Sequence, residues 1–279
     1  MVSEKIMSIE LTIEAGKTER QYWKDLWNYK ELFFILTWRD IVVQYKQTVV
    51  GILWVVLRPL LSMLAFTFVF SNVAKLPAEG DAPYVLMVYS AMLPWQLFAT
   101  ALTNTSTALI LNANLVSKVY FPRLLVPAST VGAAVVDFML SMVILAGIMV
   151  CYQYVPPAHV LAIIPLSILT SLLALGPGLF FCSLTVIYRD FRYVLPFITQ
   201  FGLYVSPVGY SSSIVPEKWQ TLFMCNPVVG VIDGFRWALL GTVEFPGKQL
   251  AISVVFATVF LAIGLKVFRN TEKTFADVI

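Results

Sequence analysis

Few residues in this chain could do chemistry, and their spacing rules most of it out. Gly16-Lys17-Thr18 ends like a phosphate-cradling loop, but such a loop needs a glycine five residues before Gly16. Leu11 stands there, and no strand leads into it. The chain is expected to hydrolyse no ATP by itself. His159 is the only histidine and sits beside two prolines, which excludes a histidine-cluster metal site and reads as a solvated loop residue. No Asp-x-Asp pair is present to hold a metal–nucleotide sugar. Cys151, Cys182 and Cys225 have neither disulfide nor metal spacing and read as small apolar residues. Neither a catalytic residue nor a metal ligand set is expected.

Two charges stand out because of where they fall. Arg58 lies about ten residues into an apolar run and Asp137 about thirteen into another, or ~15 Å and ~20 Å at helical rise. Both depths are near a bilayer midplane, where an unpaired charge costs at least ~2.5 kcal/mol. The two could pair, each could face an aqueous passage, or they could form a proton relay. With no histidine or second carboxylate nearby, the relay is the weakest of these. Aromatic residues form a second set. Phe197, Phe201 and Tyr204 recur at helical spacing, and Tyr89, Trp95 and Phe98 cluster in another run. Such stripes either pack and anchor at the interface or offer rings on which sugars stack through their C–H faces.

The elements that must position these residues are membrane helices. Of 279 residues, 59% are hydrophobic and 13% charged, too greasy for a soluble domain of this length. Continuous apolar runs, rather than short alternating ones, exclude a transmembrane barrel. Six spans are read at Val49–Val73, Tyr84–Ile110, Leu124–Tyr154, Val160–Val186, Tyr193–Ser211 and Leu250–Phe268. The first 30 residues are charged and lack the apolar centre of a cleavable signal peptide. Lysines and arginines cluster before span one, between spans two and three, between four and five, and after six. The link from three to four, "CYQYVPPAHV", has none. Both termini are therefore expected in the cytosol. A cytosolic segment over 1–48, a six-span region over 49–268 and a cytosolic tail over 269–279 follow from that reading.

Three connecting segments are unusual. "RQYWKDLWNYKELFFILTW" places Trp23, Leu26, Trp27, Phe33 and Phe34 on one broad helical side among basic residues, as in a helix lying in the membrane interface. "NLVSKVYFPR" reads as a short cytosolic helix capped by Asn114, with Leu115, Val116 and Val119 apolar and Lys118 and Arg123 free for carboxylates on a partner. "SIVPEKWQTLFMCNPVVGVIDGFRWALLG" is too apolar for a wet loop. Asn226-Pro227 signals a helix start and Gly241 a stop, so two short helices should dip into the outer half of the bilayer and return. Backbone broken at that depth must line a cavity or lie within protein.

The segments "RDIVVQYKQTVVGILWVVLRPLL", "MLPWQLFATALTNTSTALILNANLVSKVYFPRLLVPAST", "VPEKW", "NPVVGVIDGFRWALLG" and "TEKTFADVI" resemble the permease subunit of type-2 polysaccharide ABC exporters, which export O-antigen, capsule or teichoic-acid chains. The likeness runs in order from about Arg39 to the end. Ser211 is a departure, standing where that family often has proline. The resemblance implies an all-α integral membrane protein of six spans, with an N-terminal interface helix and a re-entrant pair between spans five and six. It implies a homodimer above two copies of an ABC ATPase, with ATP and magnesium bound by that partner, no cofactor in this chain and no nucleic acid. It makes the segment from Asn114 to Tyr120 a coupling helix, so that Asn114, Leu115, Lys118, Tyr120 and Arg123, with Arg189 and Arg192, would meet the ATPase. It makes the pair holding Pro216, Asn226, Pro227, Asp233 and Arg236 an outer gate. Tyr89, Trp95, Phe98, Phe197, Phe201 and Tyr204 would line the path of a lipid-linked polysaccharide through the inner membrane. Export of another lipid or amphiphile is the rival reading, and secondary transport a weaker one.

Overall fold

The computed structural model describes residues 19–46, 51–272 and 275. Gly16-Lys17-Thr18, Val49 at the start of the first expected span, and Lys273 lie outside them. All regular structure among the described residues is helical, as the continuous apolar runs predict.

Two helices precede the first span: α1 over Glu19–Asn28 and α2 over Lys30–Lys46. Helix α3, Gly51–Thr67, continues without a break into a π-helical turn, Phe68–Val73. Then come α4 (Tyr84–Leu111), the six-residue α5 (Ala113–Lys118), α6 (Leu125–Cys151) and α7 (Ile163–Ile187), the last entered through a 3-10 turn at Ala158–Ala162. Helix α8 runs Phe191–Val205, α9 Glu217–Met224, α10 Pro227–Leu240 and α11 Gly247–Glu272.

Five stretches are long and apolar enough to cross a membrane: Val56–Val73, α4, α6, Ala158–Ile187 and α11. The fifth expected span is shorter than the sequence suggests. Helix α8 stops at Val205 after 15 residues, ~22 Å of rise, and residues 206–211 continue as irregular backbone. The stop follows from Ser206-Pro207: Ser206 takes an extended conformation, as a residue before proline must. The re-entrant pair is present, with α9 and α10 meeting at 97° across Cys225 and Asn226.

Helix α4 is the centre of the bundle, packed against α6, α7 and α10, and most of its first half is buried. Helix α11 lies along α7 so closely that a Cβ on Gly264 would sit 2.1 Å from the carbonyl oxygen of Gly176. That contact of two backbones is possible only because both residues are glycine. Buried side chains divide into two cores. The larger joins the outer and middle parts of α4, α6, α7 and α10. The smaller gathers Leu36, Leu109, Val116, Phe121, Leu125 and Phe268 around the ends of the helices that carry the positive loops.

The N-terminal helices pack on the bundle by one side. Trp23, Trp27 and Phe34 are exposed, whereas Leu26 and Phe33 pack on the smaller core. The aromatic set is thus divided between two faces. Helix α2 also runs beside α6. Thr37 donates to the Ser129 carbonyl at 3.3 Å, and about two turns further along both helices Gln44 and Tyr45 donate to Asp137.

Candidate functional site

Asp137 and Arg58 come together without pairing. Both line a cavity of about 450 Å³ walled by α2, α3, α4 and α6, and no ion pair joins them among the described residues. Asp137 instead accepts from Gln44 Nε2 at 3.1 and 3.3 Å and from the Tyr45 hydroxyl. Burial pushes the Tyr45 phenol up, and the bond to Asp137 raises it further, so Tyr45 remains a neutral donor. The Arg58 side chain is exposed to this space. Of the arrangements the sequence leaves open, the geometry matches two charges facing a polar cavity. Pro59 and Pro94 lie inside the helices forming its walls, where each removes a backbone donor and loosens one turn.

The elbow is a built contact rather than a loose link. Asn112, not Asn114, occupies the junction, closing α4 and opening α5 at once. Its side chain donates back to the Ala108 carbonyl at 2.8 Å, and Asn114 stands exposed inside the first turn. Val116 and Phe121 are buried in the smaller core, and Leu115 packs against it. With those three turned inward, Lys118, Val119 and Tyr120 are presented outward.

Arg123 is not free for a partner, contrary to the sequence expectation. Its backbone N–H donates to Glu272 Oε1 at 3.1 Å, and its guanidinium donates to the Glu272 carbonyl. The same Glu272 Oε1 accepts from the Tyr22 hydroxyl at 3.3 Å, and Arg269 lies 3.6 Å from the Tyr22 ring centroid. Burial, with the Glu272 charge beside it, raises the Tyr22 phenol well above its ordinary range. One carboxylate therefore ties together α1, the elbow and the end of α11. A lone acid in a basic tail gave no sequence signal for this; only the meeting of the three ends reveals it. Arg189 and Arg192 lie on the neighbouring turn, both exposed, with Arg192 donating to the Tyr193 hydroxyl at 2.6 Å.

The aromatic set separates into core and surface. Tyr89 is 1% and Trp95 6% exposed, because α4 is enclosed by its neighbours, so neither lines a path. The Tyr89 hydroxyl donates to the Ser141 carbonyl, and Trp95 fits against Gly202, where a Cβ would meet its ring at 2.7 Å. Phe98 is half-buried beside Trp95. Phe197, Phe201 and Tyr204 form a continuous exposed stripe on α8, with Phe197 stacked near Phe201 and Tyr204 near Phe66 of α3.

Helix α10 of the bent pair is tied by charge to the link between α3 and α4. Asn226 accepts from the Val228 N–H at 3.1 Å and donates to Ser206 at 3.0 Å, so it caps α10 as its type predicts. Pro227 occupies the first helical turn, Pro216 opens α9, and Gly241 ends α10 at φ +63°. Arg236 is fully buried. Its Nη2 donates to the Pro207 carbonyl at 2.7 Å, while Nη1 lies 3.7 Å from Glu79 Oε2 and 3.9 Å from Asp233 Oδ1. Ser212 donates to both Asp233 oxygens at 2.8 Å, and Ser211 donates to Glu79. Sequence reading missed Glu79, because the link between α3 and α4 carries no motif. Ser211 has φ −79° and ψ 141°, angles open to proline as well, so the departure leaves the local backbone unchanged. His159 is not a solvated loop residue. It stacks 4.2 Å from Trp237 and hydrogen-bonds the Trp237 carbonyl at 2.8 Å.

Long apolar helices, a polar cavity between them and a bent pair entering from one face define a polytopic α-helical membrane transport protein. The profile of the ABC-2 type transporter family matches residues 31–240, and the chain belongs to that family. It is 26% identical over 251 residues to the O-antigen export system permease protein RfbA of Klebsiella pneumoniae, covering 89% of this chain and 95% of that one. It is 24% identical over 259 residues to the protein of the same name from Myxococcus xanthus, covering 91% and 97%. Against the capsule polysaccharide export inner-membrane protein CtrC of Neisseria meningitidis it is 24% identical over 253 residues, covering 87% and 93%.

Proposed function

We propose that this chain is the permease subunit of an ATP-driven exporter that passes a lipid-linked polysaccharide, O-antigen before other polymers, from the cytosol to the outer face of the inner membrane. The observation that carries this reading is its match, across nearly the whole length of each relative, to permeases named for O-antigen and capsule export. ATP and magnesium belong to a separate ABC ATPase, which docks on the outward face of the elbow through Lys118 and its neighbours and on Arg189 and Arg192. Two copies of the chain form the conduit. The exposed stripe Phe197, Phe201 and Tyr204 supports this reading, since it gives a ring-lined face on which a polymer can slide without being held by fixed charge. Both termini face the cytosol. The ion cluster of Arg236, Asp233 and Glu79 holds the bent pair against residues 206–212 as an outer gate.

Removing the chain from cells tests this reading. Surface polymer should disappear while lipid-linked polymer accumulates inside, as seen by blotting intact and lysed cells. Undiminished surface polymer would reject it.

A further inference from the structure

The export reading leaves the mid-depth cavity unused. Its two charges are in different states. Asp137 is already engaged by Gln44 and Tyr45, whereas the Arg58 guanidinium makes no hydrogen bond or ion pair to any described residue. An arginine presents a planar fork of donors that matches two oxygens of a phosphate. The Arg58 side chain is open to the cavity, so its charge is available to an anion that enters. The remaining walls are unlike an ion channel. Gln96 adds an amide, and Leu97 and Phe138 supply an apolar floor. Polar groups above an apolar surface are the pattern that receives a sugar, hydroxyls to the amides and the C–H face to the floor. The volume of about 450 Å³ lies within the ~300–1,000 Å³ typical of small-molecule sites, and is larger than a bare phosphate requires.

We propose that this cavity binds a glycosyl phosphate or pyrophosphate, its phosphate on Arg58 and the attached sugar between Gln96, the free lone pair of Asp137 and the Leu97–Phe138 floor. The inference rests on the export reading and deepens it: the cavity recognises the junction between polymer and lipid, the one part of a lipid-linked polysaccharide that carries both anion and sugar. Bulk phospholipid supplies phosphate too, so the test must separate the two sources.

The full-length chain with its ATPase, in nanodiscs of phosphatidylcholine, is titrated with farnesyl pyrophosphate bearing one N-acetylglucosamine. Wild type should bind it, phosphatidylglycerol should not displace it, and Arg58→Gln should weaken binding about tenfold, the loss of one charge-assisted contact. Gln96→Leu should remove the preference for the glycosylated probe over bare farnesyl pyrophosphate. It keeps the idea testable if Arg58→Gln does not assemble. Unchanged affinity in Arg58→Gln, unchanged preference in Gln96→Leu, or equal displacement by phosphatidylglycerol would overturn the site, while glycolipid export by the same wild-type complex in sealed proteoliposomes would leave the export reading standing. A wild-type complex that neither binds the probe nor exports glycolipid would overturn both.

Discussion

A fully buried guanidinium such as Arg236 needs opposite charge beside it, the more so because its Nε and Nη1 have no hydrogen-bond partner among the described residues. Glu79 and Asp233 supply the charge, and the Pro207 carbonyl a hydrogen bond. Breaking such a set by removing one member leaves the others buried and unpaired, at a cost of about 3–5 kcal/mol. Arg236→Ala should therefore lower the melting temperature of the purified protein sharply. Arg236→Met combined with Glu79→Gln and Asp233→Asn should restore much of the loss. A melting temperature for Arg236→Ala no lower than that of the exposed-site control Lys218→Ala would contradict the role given to the cluster. Asp233 and Arg236 are legible in the sequence, three residues apart on one helical side. Glu79 is not, because a long-range ion pair leaves no local pattern. The same limit applies to Asp137, whose depth can be read from the chain but whose partners on α2 cannot.

Among the elements, the elbow is anchored on two sides. Its inward face is fixed by Val116 and Phe121 in the smaller core, and its far end by Glu272. A push on Lys118 would thus be delivered to α4 and α6 directly and to α1 and α11 through one carboxylate. Glu272→Ala removes the acceptor of the Arg123 amide, a buried bond worth ~1–3 kcal/mol when its partner is lost. Hydrogen exchange at Arg123 should accelerate in that variant while exchange in the middle of α4 stays slow; an Arg123 amide exchanging as in wild type would remove the tie. The existence of the elbow follows from its alternating polar and apolar residues, and the bent pair from Asn226, Pro227 and Gly241. The division of the aromatic residues does not follow. Tyr89 and Phe201 look alike in sequence, and only the enclosure of α4 and the openness of α8 separate them.

At the scale of the whole molecule, what matters for transport is how tightly one copy is filled. The bundle is solid around α4, with α7 and α11 in backbone contact through Gly176 and Gly264, and the α8 stripe faces outward rather than into an internal lumen. Membrane class and five of the six expected spans could be read from hydropathy alone. That residues 206–211 leave the helix could have been read from Pro207, and the filled interior could not, since packing of α4 depends on neighbours distant in sequence. Under the proposed function, such a bundle would move cargo when an outside force parts it from a second copy, and the elbow is where that force would enter.

The most direct measurement places the chain and its ATPase in sealed proteoliposomes and follows ATP-dependent transfer of a defined glycolipid across the bilayer, wild type beside Lys118→Glu. Wild type should transfer glycolipid only with the ATPase and ATP present, and Lys118→Glu should lose transfer while its bundle still folds and melts as wild type does. Transfer by the chain without its ATPase, or undiminished transfer by Lys118→Glu, would contradict the account.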